Sequence, residues 1–176
     1  MRILVVYYSR TGTTARVAEQ VARRLDADLE CIGDRTPRDG WRGWLRCAYE
    51  AMRARTGPVS SSGRDPSRYD LVVIGTPIWG GVLATPVRSW IARHHEVLDD
   101  LGMFCTCGAS DGERAIAELT RLAGTPPRAA LVLRHDQLRR GVPVEALDVF
   151  AAALAPPPPP PARPAWTARP DAQPRA

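Results

Sequence analysis

The chain has 176 residues, 44% of them apolar, which is enough for one globular domain with a full core. Its 24 basic residues are all Arg, and the absence of Lys excludes a P-loop nucleotide site, which requires Gly-Lys-Ser/Thr. The net charge is +5, and residues 1–154 carry +3 of it, a charge too small and too dispersed for a nucleic-acid-binding surface. We therefore expect a protein that does not bind nucleic acid.

The cysteines and the apolar runs bear on the compartment. The four cysteines contain no CxxC pair and have no zinc-ligand spacing to the three histidines, so we expect buried, reduced thiols and no metal site. These cysteines are Cys31, Cys47, Cys105 and Cys107. No apolar run approaches transmembrane length, and no signal-peptide pattern is present. The sequence predicts a cytoplasmic protein with no stable membrane insertion.

Short apolar runs alternate with helical patterns along the chain. The runs predict strands over residues 2–8, 28–32, 69–75, 101–107 and 129–133. Amphipathic spacing predicts helices over 13–25, within 41–52, from an N-cap at Thr85, from a Ser110–Glu113 capping box to just before Pro126, and from Pro143 to Leu154. Residues 57–67 and 134–141 are predicted as polar loops. Residues 155–176 include six consecutive prolines and are predicted to be a disordered, Pro-rich tail.

This alternation predicts an α/β fold over residues 1–154. The expected architecture is a three-layer, doubly wound, five-stranded parallel sheet in the strand order 2-1-3-4-5, with helices on both faces. Ligands bind such sheets at the carboxyl ends of the strands, where the strand order reverses, here between strands one and three. The loops that would meet at this point are residues 9–14, 76–81 and 106–111.

The first of these loops is rich in hydroxyl groups. Ser9-Arg10-Thr11-Gly12-Thr13-Thr14 lies between a predicted strand and a predicted helix, and a helix N-terminus attracts anions because its N–H groups are free. Ser and Thr are also ordinary N-caps, so a capped turn would explain one of the hydroxyls. Four hydroxyls and a Gly in six residues favour a phosphate site. The second loop contains Trp79 between Pro77 and Gly80, which suggests that the ligand also carries a flat ring.

Both loops resemble those of the flavodoxin family. Val5 to Thr14 is similar to the family's FMN-phosphate loop. Gly75-Thr76-Pro77-Ile78-Trp79-Gly80-Gly81, followed by Pro86-Val87, is similar to its second flavin-binding loop, and Cys105 to Ser110 to its third. The resemblance implies a flavodoxin-like fold with bound FMN. It implies that the phosphate is held by Ser9, Arg10, Thr11, Gly12, Thr13 and Thr14. It implies that the isoalloxazine is lined by Thr76, Pro77, Ile78, Trp79 and Gly80, with its other edge against Thr106, Cys107, Gly108 and Ala109.

Three readings of function remain at this point. The resemblance implies a redox protein, either an electron carrier with a protein partner or an oxidoreductase that uses a small donor or acceptor such as NAD(P)H or a quinone. The basic charge, where the family's carriers are usually acidic, and the lack of an aromatic residue in the third loop favour the oxidoreductase. A receiver-like signalling module without flavin is the third reading, but Ser9, Arg10 and Thr76 occupy the positions where it needs acids. The oligomeric state is left open.

Overall fold

A computed structural model of the protein describes residues 1–34, 59–60, 63–108 and 112–156, without the side chains of residues 34, 59 and 60. Three predictions lie wholly or mostly outside these residues: the helix within 41–52, the capping residues Ser110 and Asp111, and the Pro-rich tail. The predicted loop 57–67 lies mostly within them, and there it contains the short strand Val59–Ser60 and the start of a 3₁₀ turn at Pro66–Arg68.

The central element of the fold is a largely parallel β-sheet. Eight strands occur in the described residues: β1 (Ile3–Tyr7), β2 (Asp28–Cys31), β3 (Gly33–Asp34), β4 (Val59–Ser60), β5 (Leu71–Trp79), β6 (Val82–Leu83), β7 (Leu101–Cys107) and β8 (Ala129–Arg134). The parallel strands lie in the order β2-β1-β5-β7-β8, β6 pairs antiparallel with β5, and β3 and β4 form a separate antiparallel pair. The fold is therefore α/β and flavodoxin-like.

The prediction of a five-stranded sheet in the order 2-1-3-4-5 was wrong in its strand count. The main sheet has six strands, and when they are numbered along the chain their order is 2-1-3-5-6, with the fourth strand, β6, outside that path. The reason is local. The third predicted strand does not end at Gly75 but continues to Trp79, and Gly80-Gly81 then reverses the chain so that β6 pairs with its end.

Five helices cover the sheet in the described residues. They are α1 (Thr13–Leu25), α2 (Thr85–His94), α3 (Gly112–Ala123), α4 (His135–Arg140) and α5 (Val144–Leu154), and single 3₁₀ turns cover Pro66–Arg68 and His95–Val97. The predicted loop 134–141 was wrong, because α4 occupies most of it: Leu138 is buried, and the Gln137 side chain accepts the N–H of Arg134. The N-cap of α2 is Ala84 rather than Thr85. The prediction of buried cysteines was wrong for Cys31, which is exposed at the end of the edge strand β2, whereas Cys105 and Cys107 are buried.

The sheet has an apolar core on each face because side chains alternate along its strands. On one face Leu4, Val6 and Ile74 pack with α2 and α3, whose buried residues include Val87, Trp90, Ile91, Ala115 and Leu119. On the other face Val5 and Val73 pack with α1 and α5 through Val17, Val21, Leu147, Phe150 and Leu154. In the part of the chain that the structure describes, none of the helices is long and apolar enough to cross a membrane.

Candidate functional site

The carboxyl ends of β1, β5 and β7 meet at one edge of the sheet. These strands are neighbours, and their register brings Tyr7 beside Gly75 and Pro77 beside Thr106. The segments that follow them each contain an exposed glycine, and a Cβ atom added at Gly12, Gly80 or Gly108 would meet no heavy atom within 4 Å. Each of the three segments therefore borders open space at its glycine, where a ligand can approach the backbone.

The N-terminus of α1 opens onto this space without a cap. Its N-cap residue, Gly12, adopts a left-handed conformation (φ 83°) and has no side chain that could accept a hydrogen bond from the first turn. That turn also contains no acidic residue. The carbonyl of Gly12 accepts the N–H of Arg16, as the first helical hydrogen bond requires. The N–H groups of the first turn thus retain the partial positive charge that attracts an anion.

Hydroxyl groups lie next to this helix terminus. The Oγ of Ser9 is buried and has no hydrogen-bond partner among the described residues, which is unfavourable for a buried polar atom. The hydroxyls of Thr11 and Thr13 lie 3.5 Å from each other on the more exposed part of the loop. Hydroxyl groups beside a helix N-terminus are donors that suit a phosphate, so the donor set present fits that group.

Thr14 and Thr106 lie deeper and contact each other. Their hydroxyls are 2.9 Å apart, and the two residues are 2% and 1% exposed. This hydrogen bond joins the first turn of α1 to the end of β7, so it fixes the position of the helix terminus relative to the sheet. The structure thus places both residues in the support beneath the open space.

Residues Thr76 to Leu83 form a hairpin, called here the Trp79 hairpin. Gly80 and Gly81 both have positive φ (58° and 79°), the geometry of a type I′ turn, and Ile78 and Trp79 pair with Leu83 and Val82. The hydroxyl of Thr76 is fully buried; it donates to the carbonyl of Pro77 (2.9 Å) and accepts the N–H of Ala84 (3.3 Å). Thr76 therefore closes the base of the hairpin.

Trp79 is the half-exposed aromatic residue of this hairpin. Tyr8 packs edge-on against it, with ring centroids 5.7 Å apart and an interplanar angle of 87°. The guanidinium carbon of Arg10 lies 6.0 Å from the centre of its ring, at the outer limit of a cation–π contact. The second loop thus contacts the first through Trp79, at the rim of the open space.

The other predicted site residues differ in exposure. Pro77, Ile78 and Cys107 are buried, Gly108 is exposed, and Ala109 lies outside the described residues. Sequence reasoning missed Tyr8 as a contact of Trp79, and it missed the hairpin. The adjacent glycines Gly80 and Gly81 were a signal for that turn.

In the described part of the site, residues 9–14, 76–81 and 106–108 contain no carboxylate and no imidazole, the groups that usually act as general acid or base. Asp111, at the end of the third loop, lies outside the described residues. Burial, with Cys107 as a second cause, raises the pKa of the neighbouring Cys105 thiol to about 12, so that thiol stays protonated at neutral pH. The arrangement offers hydrogen-bond donors for an anion and an aromatic side chain for a flat ring, and a bound cofactor would supply the reactive group.

Comparisons with known proteins agree with this fold. The chain is similar to an FMN-complexed flavoprotein from Lactobacillus acidophilus (21% identity, 79% of this chain and 96% of that chain, TM-score 0.66). It is also similar to proteins from Bacteroides uniformis (24% identity, 86% and 97%, TM-score 0.70) and Bacteroides eggerthii (25% identity, 85% and 98%, TM-score 0.67). No curated protein matches the chain. The sequence profile of the flavodoxin family matches residues 2–133, and the chain therefore belongs to this family of FMN-binding proteins.

Proposed function

We propose that this chain binds FMN at the carboxyl edge of its sheet and acts as a redox flavoprotein. The observation that carries the proposal is the buried Oγ of Ser9, which is unpaired among the residues that the structure describes, in the loop that leads to the uncapped N-terminus of α1. The family to which the chain belongs, and the FMN in the related flavoprotein from Lactobacillus acidophilus, support the same ligand.

In this proposal the two ends of the ligand are held by different parts of the chain. Ser9, Thr11, Thr13 and the first N–H groups of α1 would bind the phosphate. The Trp79 hairpin would lie along the isoalloxazine, and Gly108 would leave room for its other edge. FMN, when bound, supplies the capacity to accept and release electrons. The protein holds the ring, limits access of water and presents Arg10 at the rim.

Among redox roles, we favour oxidoreduction with a small donor or acceptor over electron transfer to a protein. The third segment, residues 106–111, has no aromatic side chain to stack on the outer face of the ring, so this face stays accessible to a second flat molecule. Arg10 is exposed at the rim and gives an anionic donor such as NAD(P)H a favourable electrostatic contact. A quinone could occupy the same face as the acceptor. The cytoplasmic location expected from the sequence stays a prediction.

Two measurements test the proposal. The purified protein should show flavin absorption, or gain it on addition of FMN, and it should release FMN rather than FAD on denaturation. Stopped-flow mixing with NADPH should then bleach the flavin, and a quinone should restore its absorption. A protein that FMN cannot reconstitute would overturn the proposal. A flavin that NADPH leaves oxidised would reject the oxidoreductase role alone.

A further inference from the structure

Too few residue pairs join the two strands of the Trp79 hairpin to fix the position of its returning strand. Its two strands share two residue pairs, Ile78 with Leu83 and Trp79 with Val82, closed by the Gly80-Gly81 turn. The first strand is the end of β5 and is held by the sheet, but the returning strand β6 pairs only with β5 among the described residues. The orientation of Trp79 must therefore depend on contacts that the hairpin makes with other elements.

One such contact comes from a distant helix. The backbone N–H of Leu83 donates a 2.8 Å hydrogen bond to Oε2 of Glu118, which lies 35 residues further along the chain in α3. Its acceptor is a carboxylate, and charge-assisted hydrogen bonds are stronger than neutral ones. Since Leu83 pairs with Ile78, this hydrogen bond fixes the returning strand one residue pair away from Trp79.

Glu118 is in turn held by a buried cation. Its other oxygen, Oε1, lies 3.1 Å from Nε of Arg88 in α2, and the side chains of Arg88 and Glu118 are only 5% and 11% exposed. Within the described residues, Nε and Nη1 of Arg88 are both buried without a hydrogen-bond partner, so its contact with Glu118 is an ion pair that lacks hydrogen-bond geometry. An ion pair with such incomplete hydrogen bonding contributes little to stability, because desolvation offsets its attraction, and apolar replacements of similar volume are often neutral or stabilising.

From these contacts we propose that Glu118 is a positioning residue for the flavin, that it acts through the N–H of Leu83, and that Arg88 keeps its carboxylate in place. The proposal rests on the proposed function, since the Trp79 hairpin would contact the ring. The arrangement couples α2, α3 and the hairpin at one buried point. Its role is then to set the orientation of the hairpin, and the fold does not require the charges.

Two double variants separate this role from a structural one. The variant R88M/E118L removes both charges and the acceptor for Leu83, whereas R88M/E118Q removes the charges and keeps an amide oxygen as acceptor. Neither residue belongs to the three segments that border the ligand space. Three quantities are measured for each protein: the melting temperature of the apoprotein, the exchange rate of the Leu83 amide by NMR, and the dissociation constants of FMN and riboflavin.

For R88M/E118L we expect a melting temperature close to that of wild type, because removal of the buried charges offsets the loss of the acceptor for the buried Leu83 N–H. Exchange of the Leu83 amide should be roughly tenfold faster, and the affinities for FMN and riboflavin should fall together by about 3- to 10-fold. In R88M/E118Q the amide exchange and both affinities should return to within about twofold of wild type. The equal loss for both flavins is expected because the hairpin would contact the ring, which riboflavin shares with FMN.

Several results would overturn the proposal. One is an R88M/E118L protein that keeps wild-type amide exchange and flavin affinity. Another is a failure of R88M/E118Q to restore them, and a third is an R88M/E118L protein that cannot fold, because the pair would then be a requirement of the fold. A wild-type protein that binds no flavin would instead refute the proposed function, and the amide exchange of the apoprotein would still report whether Glu118 orders the hairpin.

Discussion

Replacing Ser9 by Ala should stabilise the apoprotein and weaken FMN binding. The Oγ of Ser9 is buried without a partner among the described residues, and an unsatisfied buried hydroxyl costs about 1–3 kcal/mol in proteins. The substitution removes this cost, so the free energy of unfolding of the apoprotein should rise by about 1 kcal/mol. A hydrogen bond to a charged group contributes about 1.5–3 kcal/mol, so the affinity for FMN should fall by about 10- to 150-fold.

Riboflavin and a second serine supply the controls for this prediction. Riboflavin lacks the phosphate, so Ser9→Ala should change its affinity by less than about twofold. Ser89 is also buried, but its Oγ donates a 3.0 Å hydrogen bond to the carbonyl of Thr85 within α2. Ser89→Ala should therefore lower the free energy of unfolding by about 1 kcal/mol and leave both flavin affinities unchanged.

The assays are urea unfolding of the apoproteins and fluorescence titration with each flavin. Ser9→Ala should raise the free energy of unfolding and lower the affinity for FMN, a combination that general damage to the fold cannot produce. If Ser9→Ala destabilised the apoprotein as much as Ser89→Ala, the hydroxyl would be structurally satisfied. If FMN and riboflavin lost affinity equally, Ser9 would not contact the phosphate. Either result would refute the reasoning.

Three further predictions concern stability and reactivity. Thr14→Val and Thr106→Val should each cost about 1–3 kcal/mol of unfolding free energy, because each leaves a buried hydroxyl unpaired, and the double variant should cost less than their sum in a urea-unfolding cycle. Burial, with Arg93 as a second cause, lowers the pKa of His94 below its unfolded value. The protein should therefore lose stability as the pH falls through about 6.5. The loss, measured by unfolding at about pH 7.5 and 5.5, should be smaller in His94→Gln. An equal loss in the variant and the wild type would contradict this prediction. Iodoacetamide at neutral pH should modify the exposed Cys31 and leave Cys105, whose pKa is about 12, unmodified in peptide mass spectra.

The parallel strands and the long helices could be predicted because their patterns are local. The apolar runs that became β1, β5 and β7 are buried on both faces, and α1 begins and ends at the residues that its amphipathic spacing indicates. The helix α4 could not be predicted in this way. It has six residues and one buried apolar side chain, Leu138, so it depends on packing that its own sequence does not reveal.

The candidate site could likewise be predicted only in part from the sequence. The resemblance of the three segments to flavin-binding loops was visible in the sequence, and so was the Gly80-Gly81 turn, although it was not used. The hydrogen bond between Thr14 and Thr106 was not visible, because it joins residues 92 positions apart.

By itself, the sequence determined the alternation of strands and helices, the hydroxyl-rich loop at Ser9–Thr14 and the absence of acids near it, since each depends on residues close together in the chain. Only the tertiary structure decided which polar groups are paired. It left Ser9 Oγ without a partner in the described part of the chain, and it buried Arg88 and Glu118 together, although charged residues on amphipathic helices usually face solvent. Pairing and burial depend on how distant elements pack, and the pattern of one element carries no information about its neighbour.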